Sequence, residues 1–160
     1  MKAKKHPVNP ELDLVLERVV DVPRHLVWKA WTTPELMKQW FAPRPWTTPQ
    51  IRLDLYPGGA FNTTMKSPEG QEYPSQGCVL EVIENERLAF TSALSEGFRP
   101  TGESFMTAII TLEDHPQGTK YTAHAVHKNK EDRKTHEDMG FMTGWGICVD
   151  QLVELVKKGI

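Results

Sequence analysis

"MGFMTGWGICVDQLVELV", residues 139–156, carries apolar side chains at helical spacing along its whole length. One row is Met139, Met142, Trp145, Val149, Leu152 and Val156, and a second is Phe141, Cys148 and Leu155. Two rows make a stripe wider than a single line of contact needs, so the helix must be touched on its flanks as well as its base. A curved sheet gripping the helix supplies such a surface. The same stretch holds Gly140, Gly144 and Gly146, and a glycine inside a helix costs about 1 kcal/mol relative to alanine. Either the glycines make room for Trp145 and nearby aromatics, or they border a volume that side chains leave unfilled. An unfilled interior forfeits roughly 24 cal/mol per Å³, a loss that a bound ligand would offset.

The rest of the chain supplies the sheet. "LDLVLERVV" (12–20) alternates as a strand with Leu12, Leu14 and Leu16 on one face. Pro23 opens a short helix, "PRHLVWKAW", with Val27, Ala30 and Trp31 at helical spacing. Thr33 as N-cap and Pro34 in the first turn start a second, with Leu36, Trp40 and Phe41 inward, and "APRPWTTP" ends it. From 50 to 127 six strands follow: "QIRLDLY", "AFNTTMK", "SQGCVLEVI", "RLAFTSAL", "SFMTAIITLE" and "TKYTAHAVH". Their spacing suits an antiparallel meander. "NKEDRKTHED" then leads into the final helix, which begins near Glu131, with Asp132 or Thr135 as an N-cap. The fold class is α+β, in the order strand, two short helices, six strands, one long helix. Residues 1–11 read as a flexible lead-in and 12–160 as a single domain.

A chain of 160 residues can bury roughly two thirds of its unfolded surface. Its net charge of −2, with no cluster of basic residues, offers no footprint for nucleic acid. No apolar run reaches the roughly 18 residues of a membrane span, and "MKAKKH" leads into "PVNPELD" rather than a secretory signal core. Cys78 and Cys148 have no CxxC partner and no disulfide framework to build, so a cytoplasmic location is expected.

Three stretches carry a resemblance: "VPRHLVWKAWTTPELMKQWFAP", "YPGGAFNTTMKSPEGQEYPSQGCVLEVIENERLAFTSAL" and "HEDMGFMTGWGICVDQLVEL". Together they resemble the SRPBCC (START/Bet v 1-like, helix-grip) superfamily, in the branch similar to the C-terminal domain of the activator of the Hsp90 ATPase. The likeness covers residues 12–157, and its most specific pieces are "AWTTPE…QWF", "PGGAF" and "MGF…GW". It implies a seven-stranded antiparallel sheet curved around a long C-terminal helix, with two small helices after the first strand. It also implies a deep apolar cavity between sheet and helix, where relatives bind lipids, sterols, hormones or polyketides and a minority catalyse cyclisation, dehydration or hydroxylation. Eukaryotic activators pair this domain with an N-terminal Hsp90-binding domain for which this chain has no room, so an Hsp90-type partner is not expected. Homodimerisation is plausible for such a domain.

The aromatic and methionine content fits a soft apolar pocket. Trp28, Trp31 and Met106 belong to the candidate wall or to plain core. The expected ligand contacts are Trp40, Phe41, Phe61, Met65, Phe98, Phe105, Met142 and Trp145. Arg99 joins them because "EGFRP" resembles a loop that borders the cavity entrance in relatives. It would hold a ligand carboxylate bidentately, or else pair with Glu96 or Glu103. Tyr73 and Glu103 lie in neighbouring loops.

His127 is the one catalytic candidate. It shares a strand face with Tyr121, Ala123 and Ala125, and near the cavity mouth it would act as a general base tuned by a carboxylate of the group His136, Glu137 and Asp138. The alternative is a solvated or capping histidine. His124 and His127 cannot pair on one metal, because three residues along a strand point to opposite faces. No HExxH, GxSxG or phosphate-cradling loop occurs, so neither metal nor cofactor is expected. The leading reading is a binder of a small apolar or amphipathic molecule. A cavity enzyme of polyketide cyclase/dehydratase type and a chaperone-associated interaction module are its rivals.

Overall fold

Alternation decides which strand faces meet the helix. Along β1 (Asp13–Val20), Leu14, Leu16 and Val20 are buried on one face while Glu17 and Val19 lie outside. In this computed structural model, which describes residues 4–160, β1 is followed by α1 (Arg24–Thr32) and α2 (Pro34–Met37). Then come β2 (Thr47–Leu53), β3 (Phe61–Lys66), β4 (Glu72–Ser75), β5 (Cys78–Ile83) and β6 (Arg87–Thr91). The chain ends with β7 (Leu94–Ser95), β8 (Arg99–Pro100), β9 (Thr107–His115), β10 (Gly118–Val126), α3 (Lys130–Asp138) and α4 (Phe141–Lys158). The first three residues of the lead-in lie outside the described residues. The next two touch the sheet: Lys5 pairs with Glu113 at 3.5 Å and Arg87 donates to the Lys4 carbonyl.

The architecture is α+β with antiparallel pairing throughout. Five strands form the main sheet in the order β1-β10-β9-β6-β5, three form a second in the order β2-β3-β4, and β7-β8 is a two-residue ribbon. A bridge between Ala60 and Cys78 joins the two larger sheets. A Cβ on the adjoining Gly77 would come within 2.9 Å of the Phe61 carbonyl oxygen and 3.0 Å of that of Thr91, so side chains are excluded from the join. This corrects the single seven-stranded sheet: the described residues form ten strands in three sheets. β4 escapes sequence reading because "EYPS" is exposed throughout and contains Pro74. It is tolerated because β4 is the edge of its sheet.

The inner face of the main sheet, with Leu14, Leu16, Leu88, Phe90, Ile110, Leu112, Tyr121 and Ala123, packs against α1 and α4. Val27, Ala30 and Trp31 of α1 are buried as their spacing predicts. α2 is only one turn, Thr33 makes no side-chain cap, and Met37 rather than Leu36 is its buried residue. Among the described residues no helix is long and apolar enough to cross a membrane.

The long final helix expected from Glu131 is two helices. Asn129, not Asp132 or Thr135, caps α3 by accepting from the Asp132 amide at 2.8 Å. The chain then breaks at Gly140, whose φ of +90° and ψ of 37° lie in the left-handed region. Consequently the buried stripe starts at Phe141, and Met139 and Met142 fall outside it, 72% and 47% exposed. Past its midpoint α4 is pinned by a buried polar side chain. Gln151 Nε2 donates to the carbonyls of Trp40 (3.1 Å) and Ala42 (2.9 Å), and its Oε1 accepts from the Arg44 amide at 3.0 Å.

Gln151→Leu leaves three backbone groups without partners, each costing about 1 kcal/mol or more. A loss of about 3 kcal/mol in chemical denaturation is the expected outcome. A loss under about 0.5 kcal/mol would show that water replaces this clamp at no cost.

Candidate functional site

Where α4 begins, it stands away from the sheet. The gap between its first turns, α1, the 40–43 segment and the sheet is a cavity of about 250 Å³. Trp31, Trp40, Phe41, Met65, Phe90, Met106, Phe141 and Trp145 form most of its wall. Trp31 is the hub, with ring centroids 4.8 Å from Trp40, 6.0 Å from both Phe41 and Phe90, and 6.5 Å from Trp145. Interlocked aromatic rings hold shape better than flexible side chains, so the wall is largely preformed. Its NH groups are unevenly satisfied. Trp40 Nε1 donates to the Ala30 carbonyl at 3.1 Å and Trp145 Nε1 to the Tyr121 hydroxyl at 2.9 Å. Trp31 Nε1 is buried without a hydrogen-bond partner among the described residues.

The three glycines of the opening motif do three different things. Gly140 makes the left-handed turn between α3 and α4. Gly144 has ordinary helical geometry and lines the cavity, and a Cβ built on it would meet nothing within 4 Å. Gly146 faces the other way, where a Cβ would collide with the Arg18 guanidinium. Arg18 Nη1 donates to the Gly146 carbonyl at 3.2 Å and to Asp150 at 2.8 Å. The cavity-bordering reading therefore holds for Gly140 and Gly144, and the close-approach reading for Gly146, with Arg18 rather than an aromatic as the neighbour.

The polar feature of the cavity is a histidine chain. His127 Nδ1 lies 2.8 Å from the Leu12 carbonyl oxygen, and its Nε2 lies 2.8 Å from His136 Nδ1. His136 lines the cavity, with the rings of Phe105 and Phe141 each 4.9 Å from its own. Burial, reinforced by the neighbouring His127, pulls the His136 pKa down to about 4, so this ring is neutral at ordinary pH. The other titratable group in the wall is Cys148, whose thiol burial pushes up to about 12, so it is a packed apolar group and not a nucleophile. Tyr121 lies behind Trp145, and burial raises its hydroxyl well beyond the usual phenol range. Among the described residues no aspartate, glutamate, lysine or arginine lines the cavity.

Of the residues singled out from sequence, Trp40, Phe41, Met65 and Trp145 line the cavity, together with Trp31 and Met106. Phe61 sits one layer behind, stacked on Phe90 at 3.9 Å and 5°. Phe105 lies beside the two histidines rather than in the wall. Phe98 is 51% exposed with φ of +61°, over Gly58, and Arg99 is exposed on β8, so neither reaches the cavity. Glu96, one alternative partner for Arg99, instead pairs with Arg52 at 3.0 Å. Met142 points to solvent. His127 is buried as its strand face predicts, but its partner is His136 and not a carboxylate. His124 faces the opposite side and meets Asp13 at 2.8 Å. Sequence reading missed Phe90, Phe141, Pro43 and His136 as wall residues. The signal for Phe141 was its place in the apolar stripe, whereas His136 sits in a run of charges with no periodicity to mark it.

Residues 21–157 match the family described as "Activator of Hsp90 ATPase homolog 1-like protein". The crystal structure of a Nitrosomonas europaea protein is 49% identical, covers 94% of this chain and 97% of its own, and superposes with a TM-score of 0.92. A Rhodobacter sphaeroides protein shares the fold at 18% identity and a TM-score of 0.81, covering 96% of this chain and 99% of its own. An AHSA1-like protein of Aeromonas hydrophila does so at 20% identity and 0.67, covering 92% and 93%. Comparison with curated proteins gives no match.

Two predictions follow from the glycines and the histidine. Gly144→Ala adds a methyl into open space and raises stability by up to about 1 kcal/mol, whereas Gly146→Ala displaces Arg18 and gives up hydrogen bonds worth about 1 kcal/mol each; equal effects in denaturant titrations would contradict the assignment. His136 takes up a proton near pH 6.5 in the unfolded chain but only near pH 4 in the folded one. Its contribution is therefore intact above pH 6.5 and is lost as pH falls toward 4. Allowing for partial exposure, the loss is on the order of 1 to 2 kcal/mol. His136→Gln should flatten that part of the stability–pH curve, and an unchanged slope would sink the claim.

Proposed function

We propose, since the chain belongs to the activator of Hsp90 ATPase homolog 1-like branch of the SRPBCC superfamily, that it binds a small apolar or amphipathic molecule in the cavity between α4 and the sheet. The observation that carries this reading is Gly144. Alanine there would meet no neighbour and would favour the helix, yet glycine stands at the cavity wall. An apolar volume of this size, partly open to solvent, leaves wall surface without contacts. A ligand that fills it recovers that contact energy. The contacts we assign are Trp31, Trp40, Phe41, Met65, Phe141 and Trp145.

A second reading, a cavity enzyme of cyclase or dehydratase type, is favoured by one observation only: the neutral His136 ring lies in the wall with His127 behind it. In that case His136, rather than His127, touches the reacting molecule as a general base.

Three tryptophans in the wall make binding visible. A neutral bicyclic aromatic such as naphthalene should quench their fluorescence saturably. Gly144→Leu, which fills the space, should weaken that binding at least tenfold while the protein stays folded. Absence of saturable quenching in the unaltered protein, or undiminished binding by a folded Gly144→Leu variant, would overturn the proposal.

A further inference from the structure

We infer that the cavity takes a neutral mono- or bicyclic aromatic molecule carrying a hydroxyl group, and that this hydroxyl donates a hydrogen bond to Nε2 of His136, whose tautomer is set by His127. The inference rests on the binding reading above and goes further by naming the ligand's chemistry and the atom that recognises it.

The direction of each hydrogen bond follows from what can donate. The Leu12 carbonyl only accepts, so the proton of that 2.8 Å contact sits on His127 Nδ1. With the proton on Nδ1 alone, His127 presents its other ring nitrogen, Nε2, as an acceptor. His136 Nδ1, 2.8 Å away, must supply the proton between the rings. A neutral His136 with its proton on Nδ1 has a bare lone pair on Nε2. Among the described residues nothing donates to that nitrogen. The rings of Phe105 and Phe141, each 4.9 Å away, hold the imidazole from two sides.

The surroundings then decide what fits. Among the described residues the wall offers no cation to a carboxylate, and a carboxylate or a ketone would place its own lone pairs against that of Nε2. A hydroxyl donor satisfies it. Size is the other guide: an apolar cavity of about 150 Å³ accepts benzene, so about 250 Å³ accommodates a bicyclic ring system, whereas a sterol or a tetracyclic polyketide would protrude from its open mouth. The aromatic walls around Trp31 suit the faces of flat rings.

The test compares 2-naphthol with 2-methylnaphthalene, which has nearly the same shape but no donor. The unaltered protein should favour 2-naphthol, and His136→Leu should shift the ratio of the two affinities at least tenfold toward the methyl compound. His127→Leu, which frees the His136 tautomer, should shift it severalfold. Independently of any variant, the ¹⁵N resonance of His136 Nε2 in the unaltered protein should move with 2-naphthol and stay in place with 2-methylnaphthalene. If both compounds bind, the ratio is unchanged in a folded His136→Leu variant and the resonance is still, the anchor is wrong while the cavity reading stands. If neither compound binds saturably, both fall together.

Discussion

Everything about the site depends on one backbone conformation, the left-handed turn at Gly140. Residues with a Cβ adopt that region at a cost of roughly 1 kcal/mol or more, so glycine there ends α3 and starts α4 in a new direction. Had the helix run straight through, Met139 and Met142 would have continued the apolar stripe. Instead α4 is clamped past its midpoint through Gln151 and begins afresh after Gly140, and α3 turns so that His136 lies in the wall of the gap left behind. The cavity is a consequence of where the helix stops.

Much of this was legible in the chain itself. Alternation in β1, the buried trio of α1, the hairpins around β9 and β10 and the wide stripe of α4 all come from short-range periodicity, which local sequence records directly. What stayed hidden depends on long-range partners. β4 is visible only because β3 lies beside it, and β7 and β8 are two residues each. Phe98, Arg99 and Met142 are chemically suited to a pocket, but the topology places them on outer surfaces. His136 is the opposite case, a polar residue in a charged run that becomes a wall residue only because the turn at Gly140 folds α3 back.

The site's chemistry is governed by scarcity of charge. Aromatic rings and thioethers supply adaptable apolar surface, burial keeps Cys148 protonated, and the His136 imidazole in the wall stays neutral because charging it there would be expensive. A pocket built this way gains most of its affinity from removing apolar surface from water, about 25 cal/mol for each Å². Its selectivity comes from the few polar atoms that must find partners. The same neutrality leaves the His136 ring a hydrogen-bond acceptor, the role the proposed ligand would use.

Xenon enters dry apolar cavities and leaves strong density in them. A crystal of this protein held under xenon pressure therefore tests the hollow directly. The account predicts a xenon atom between Trp31, Phe141 and Gly144 with little movement of the surrounding rings. A gap closed by inward rotation of Trp145 or Met106, with no xenon bound, would contradict it.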